Sequence, residues 1–328
     1  HHYVLTYDGW GRLVKVQTDS ATAETIAEYR YDGNGWRIAK LVRRVPDDWD
    51  RTDYFYDLGW QVLEERVWEG LTDAQKDNSV SSAPHVEYIW DVRYIDTPLV
   101  RFRDADGSGG NGLEEELHYL TDANMNVTAL VDSSGAVVER YIYDAYGRVT
   151  VLDDVSAGQE AVWQADGDNV SDVCNELLYA GYRLDPETGT YHVRRRQYHP
   201  TLGQWLQRDP EGYRDGMDLY AYVSASPADF VDPRGTGLWS LLLTGDWDRL
   251  DEMKRWAERD AAHARRVAEA KRRAAAAATG RGDAVLAMKL ARQAESLEAI
   301  AAECDADAAG LLGRIGAAAW EGAKEGLA

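Results

Sequence analysis

Two aspartates set 23 positions apart raise the question of chemistry in this sequence. Asp209-Pro210-Glu211-Gly212 and Asp232-Pro233-Arg234-Gly235 repeat one pattern, Asp-Pro-x-Gly. Two carboxylates brought into contact cannot both ionise cheaply. They share a proton across coupled pKa values, so that one activates water while the other protonates a scissile carbonyl or a leaving amine. The same pattern is also a natural β-turn, with Asp at the first position, Pro at the second and Gly at the fourth. Spacing alone leaves both readings open.

Residues 104–115, DADGSGGNGLEE, carry a second candidate. With Asp104 at position 1, Asp106 falls at 3, Ser108 at 5, Gly109 at 6 and Glu115 at 12, the ligand spacing of an EF-hand loop. Asp104, Asp106, Ser108 and Glu115 are therefore the candidate Ca²⁺ ligands. The flanks, PLVRFR and ELHYL, read as strands rather than helices, and acidic Gly-rich loops commonly join strands. His192 and His199 lie seven positions apart, on opposite faces of an alternating strand, which argues against a shared metal. Arg194-Arg195-Arg196 between them reads as an ion-pairing strand edge. Cys174 and Cys304 are isolated and form no disulfide framework or metal-ligand spacing.

The elements that must position these residues change character near residue 236. The 328 residues include 19 Tyr and 12 Trp against 3 Phe, and every tyrosine precedes residue 237. Residues 237–328 carry 14 Lys and Arg against 15 Asp and Glu, so nearly all of the net charge of −21 sits on the first 236 residues. So acidic a body repels nucleic acid and anionic lipid. No apolar run approaches the roughly 18 residues of a membrane span. The chain opens inside a patterned segment with no signal peptide, as expected of a piece of a longer protein, with its two leading histidines a tag remnant.

Before residue 236 the sequence repeats itself. LTYDGWGRLVKV (Leu5–Val16), YRYDGNGWRIAKLV (Tyr29–Val42), YFYDLGWQVLEERV (Tyr54–Val67) and YIYDAYGRVTVL (Tyr141–Leu152) share an alternating aromatic, Tyr-Asp, a nearby Gly and an apolar-alternating run. YLTDANMNVTAL (Tyr119–Leu130) is a looser copy. Period-two alternation argues for strands, and Asp followed closely by Gly for a tight turn. Each copy is a β-hairpin, marginal alone, that must associate with its neighbours to bury its rings. Beyond residue 236, the stretch from Asp246 to about Ala278 contains no Pro or Gly and favours helix. Thr279–Asp283 breaks it, with Asp283 as an N-cap. Leu286, Leu290, Leu297, Ile300 and Cys304 form the apolar stripe of a second helix, and a third helical segment covers 306–327.

These units resemble the YD repeats of rearrangement-hotspot (RHS) proteins, and Leu177–Gly235 resembles the RHS-associated core. Stretches such as YLTDANMNVTALVD are also similar to RHS proteins of planctomycetes. The resemblance implies a mainly-β chain: a wound hairpin shell (1–172), an RHS core (173–236) and a small α-helical C-terminal region (237–328). It implies a secreted or cell-surface bacterial protein whose shell encloses or anchors its own C-terminal segment, with further repeats upstream. In many such proteins the core is an aspartyl autoprotease. The resemblance then makes Asp209 and Asp232 the catalytic carboxylates, Arg208 the accompanying basic residue, and the peptide bond after Thr236 the site of cleavage, freeing the tail as a toxin. The chain departs from the pattern where Tyr213 and Thr236 replace the family's leucines, the second of them next to the expected cut. The structural shell is the leading expectation and self-cleavage the alternative. The tail, whose one histidine is His263, shows no catalytic constellation.

Overall fold

The computed structural model describes residues 2–78, 81, 83–91, 94–107, 112–156, 162–210, 212, 217–228, 230–236, 239–240, 247–281, 284, 286–288, 290–295, 298 and 302. Ser108, Tyr213, Asp283 and the 306–327 segment lie outside them. By compactness the chain forms two units, His1–Tyr88 with Pro98–Leu242, and Ile89–Thr97 with Leu243–Ala328.

The mainly-β expectation holds. Thirteen strands follow one another as an antiparallel meander in sequence order. They are β1 (Tyr3–Tyr7), β2 (Leu13–Thr18), β3 (Thr25–Tyr31), β4 (Arg37–Val45), β5 (Asp48–Tyr56), β6 (Val62–Leu71), β7 (Val86–Trp90), β8 (Pro98–Arg103), β9 (Glu115–Thr121), β10 (Val127–Asp132), β11 (Val137–Tyr143), β12 (Val149–Asp154) and β13 (Trp163–Ala165). A second sheet holds β14 (Arg183–Asp185), β15 (Thr190–Val193), β16 (Arg196–His199) and β17 (Gln204–Trp205), and β18 (Phe230–Val231) pairs with β19 (Trp239–Ser240).

The Tyr-Asp pair is explained by two hydrogen-bond patterns. In the turns that begin at Asp8, Asp32, Asp57, Asp122, Asp132 and Asp144, one carboxylate oxygen accepts the backbone N–H groups two and four residues on. The short acidic side chain thus satisfies donors that a tight turn would otherwise leave to water. Where a tyrosine precedes the aspartate, it does a different job. Tyr31, Tyr56 and Tyr143 donate their hydroxyls to the carbonyls of Leu13, Arg37 and Val127, the first residues of β2, β4 and β10. Each ring therefore fastens its hairpin to the preceding one, and the alternating partners on the same face (Leu13, Val16, Ala27, Tyr29) are sealed from solvent.

The β14–β17 sheet docks on the last of these turns. Tyr179, Tyr198 and Tyr191 donate to the carbonyls of Ala145, Tyr146 and Gly147. A Cβ at Gly147, whose φ is +85°, would lie 2.4 Å from the Tyr179 ring, so only glycine fits there.

In the second unit α1 (Trp247–Gly280) forms over nearly the stretch the composition marks out, and described residues from Ala284 onward are again helical. Ala268, Ala275 and Ala278 are buried, small residues that permit close approach. Among the described residues no helix is long and apolar enough to cross a membrane.

Candidate functional site

The two aspartates are both turn residues and partners. The Gly212 N–H donates to the Asp209 carbonyl (3.2 Å) and the Gly235 N–H to the Asp232 carbonyl (3.3 Å), closing the two turns. Asp232 Oδ1 also accepts the Thr236 N–H at 3.1 Å. The Oδ2 atoms of the two carboxylates reach the same atom. Arg196 Nη2 lies 2.9 Å from Asp209 Oδ2 and 3.0 Å from Asp232 Oδ2, so the two oxygens are no farther apart than the sum of those contacts.

The arginine is placed by a tight hairpin. β15 and β16 pair Val193 with Arg196, leaving Arg194 and Arg195 as a two-residue loop, with Arg194 at φ +45°. The consecutive arginines then point to three destinations. Arg194 Nη1 donates to the Pro233 carbonyl, Arg195 turns outward, and Arg196 turns into the interior. There Arg196 Nε donates to the Gly235 carbonyl at 2.5 Å and its guanidinium lies 4.2 Å from the centroid of the Trp205 ring. Gly235, at φ +64°, cannot carry a side chain, because a Cβ would meet the Val193 carbonyl at 2.6 Å. The Asp232 N–H donates to Tyr182 Oη at 2.9 Å, which fixes the second turn from the other side.

The result is asymmetric. Asp232 is 2 % exposed, whereas Asp209 stands on the wall of a pocket of about 680 Å³. The buried guanidinium contacts both carboxylates and holds the peptide that leads into Thr236. A carboxylate on the open side and a sealed second carboxylate are parts that peptide hydrolysis uses, while the carbonyl that Arg196 holds belongs to Gly235, one residue before the bond after Thr236, so that contact positions the peptide. They equally form a clasp between two turns.

Sequence reasoning named the two aspartates and a neighbouring arginine but not the guanidinium that lies between them. The guanidinium that joins them belongs to Arg196, while Arg208 lines the adjacent pocket. The strand-edge reading of Arg194–Arg196 also needs correction, since the run is a hairpin tip with buried flanks. His192 and His199 accordingly lie on neighbouring strands rather than one, because the chain reverses between them.

The acidic loop differs from expectation at one ligand. Asp104, Asp106 and Glu114 bring carboxylate oxygens within 4.8 Å of one another, and Glu114 accepts the N–H groups of Ala105 and Asp106 at 2.6 and 2.9 Å. Glu115 is not in this group. It opens β9 opposite Arg103 and pairs with Arg101 and Arg103 at 2.8 and 2.9 Å. Adjacent strand residues face opposite sides, so only one glutamate can turn toward the loop. Three such oxygens are the type of donor a hard divalent cation takes.

A buried ion network was invisible in the sequence. Arg37 Nη1 lies 2.8 and 2.9 Å from the two oxygens of Asp185; Lys40 Nζ reaches Glu176 at 2.5 Å; Arg183 spans Glu65 and Glu176 at 2.6 and 2.9 Å. It joins β4 and β6 to the second sheet across more than a hundred positions, a distance over which no sequence spacing carries a signal.

No family model matches the chain. It is 32 % identical over 249 residues to the tRNA3(Ser)-specific nuclease WapA of Bacillus spizizenii, covering 74 % of this chain and 9 % of that protein. It is 26 % identical over 253 residues to toxin subunit YenC2 of Yersinia entomophaga, covering 76 % of this chain and 23 % of the subunit. Among solved structures, the Photorhabdus luminescens Tc holotoxin pore superposes with a TM-score of 0.53 at 20 % identity, over 74 % of this chain and 10 % of that one. The chain therefore spans only 9 to 23 % of the length of these two curated relatives.

Proposed function

We propose that this chain is the C-terminal end of an RHS-type β-shell, related to bacterial toxin proteins, whose role is to hold its own helical C-terminal segment. The observation that carries this reading is the meander itself: hairpins joined strand to strand by Tyr-to-carbonyl bonds, so that each unit is completed only by its neighbour. The likeness to WapA and YenC2 supports the toxin setting. It also favours a secreted or surface-exposed bacterial protein, with further repeats upstream. Limited trypsin digestion tests the holding role. Residues 237–328 offer 14 Lys and Arg; in the native chain these sites should be cut far more slowly than after unfolding in urea. Equal rates would remove the reading.

The convergence of Asp209 and Asp232 on Arg196 favours a second reading, in which the core cleaves its own chain after Thr236. In this reading Asp209 takes a proton from a pocket water as the water's oxygen adds to the Thr236 carbonyl carbon, that proton passes by way of Asp232 to the leaving nitrogen as the C–N bond breaks, and Arg196 holds the Gly235 carbonyl. Intact mass after expression should show a fragment ending at Thr236. Asp209→Asn and Asp232→Asn should each leave the chain whole. A single uncut mass in the parent chain, or unchanged cutting in either variant, would reduce the site to a clasp.

A further inference from the structure

The pocket beside Asp209 holds a cation that the clasp does not use. Its walls come from the first two hairpin turns, from Trp60, from the tip of the β15–β16 loop and from the Leu206–Pro210 segment. Arg195, at that tip, is exposed and lies with its guanidinium 5.7 Å from the Trp60 ring centroid. Among the described residues it forms no ion pair. Arg12, Arg37, Arg183 and Arg196 of the same strongly acidic body do have carboxylate partners. The acids on the wall are engaged elsewhere: Asp32 accepts the N–H groups of Asn34 and Trp36, and Asp209 faces Arg196. Aromatic surface surrounds the cation, with Trp10 83 % and Tyr220 45 % exposed.

We propose that this pocket is a docking site for an acidic peptide of a partner protein, one carboxylate pairing with Arg195 and a neighbouring aromatic side chain lying against Trp60 and Trp10. One uncommitted cation matches one negative charge. A multiply charged phosphate compound gains the same contact but meets the repulsion of the whole acidic body, so a monoanionic carboxylate is the better fit. The volume suits a few residues of peptide rather than a folded surface. Because Arg195 and Arg196 are consecutive in one tight loop, the bound peptide lies against the same hairpin that holds the two aspartates.

The test uses the full chain and two synthetic probes, acetyl-Gly-Trp-Asp-Gly-amide and the same peptide with Asn in place of Asp. Ligand-observed NMR titration should show the Asp peptide binding roughly fivefold more tightly, the scale of one solvent-accessible ion pair. Arg195→Gln should erase that difference, and Trp60→Ala should weaken both peptides. The melting temperature of each variant, compared with the parent, distinguishes lost docking from lost folding. No preference for the Asp peptide, or a preference that survives in a folded Arg195→Gln, overturns the proposal. ATP binding more tightly than the Asp peptide overturns the choice of ligand.

Discussion

Asp185→Leu should destabilise the first unit by about 3–5 kcal/mol, the usual cost of removing one member of a buried ion pair. Asp185 is completely buried and Arg37 is 1 % exposed. Arg37 Nη1 contacts both carboxylate oxygens, Gln197 Nε2 donates to Oδ2 at 3.4 Å, and Lys40 Nζ lies 3.8 Å from Oδ1. Leucine would leave the guanidinium and the ammonium in the interior with one fewer counter-charge and no water to replace it. Asp185→Asn retains an acceptor and should cost less. The double variant Arg37→Met, Asp185→Leu should recover much of the loss, because the desolvation penalty disappears with the charges. Urea midpoints at unchanged slope measure all three. If Asp185→Leu shifts the midpoint no more than an exposed substitution does, the network is not what fastens the repeats to the second sheet.

Acid should unfold the same unit in two stages. Burial pushes the His192 imidazole well below its ordinary range, and the cations Arg37, Arg183, Arg194 and Lys40 push it further. The unfolded chain therefore takes up a proton near pH 6.5 that the folded chain refuses. Stability is complete above that pH and falls by up to ~1.4 kcal/mol per unit below it. Glu176 acts lower in the range. Burial would raise its carboxyl, but Lys40 and Arg183 outweigh that and hold it down to about 2. Its contribution, on the order of 3 kcal/mol, is present above the unfolded value near 4.5 and is lost as pH drops toward 2. Both groups give the same sign, since the unfolded state binds more protons in each window. His199, also depressed by burial, adds to the upper stage. Comparing urea midpoints at pH 7, 6 and 5 in the parent and in His192→Gln isolates the first group. Equal losses in the two proteins would show that His192 does not carry it.

The repeats were legible because their information is local. Asp8, Asp32, Asp57 and Asp144 act on N–H groups two and four residues away, so the turn is written into adjacent positions. The side-chain alternation likewise shows which strand face is buried. The role of the preceding tyrosine could not be read, because the carbonyls that Tyr31, Tyr56 and Tyr143 reach lie 16 to 19 residues earlier on the neighbouring hairpin, and the one that Tyr7 reaches, Leu206, lies 199 residues later. The Asp104 loop shows the same limit at short range. Spacing proposed Glu115, but whichever of two adjacent glutamates faces the loop depends on the register of β9 against β8, which places Glu115 over Arg103.

By itself the sequence determined the hairpin type of each unit, the change to helix beyond the tyrosine-rich region, and the identity of the two aspartates. These follow from backbone preference and side-chain periodicity within a few residues. Tertiary structure alone decided that Arg196 lies between the two carboxylates, that Arg194 grips the Pro233 carbonyl while Arg195 turns outward, and that Arg37, Lys40 and Arg183 find their acids more than a hundred positions away. A buried charge takes whichever opposite charge the packing brings within reach, and the desolvation that makes the choice binding exists only once the chain has closed over it.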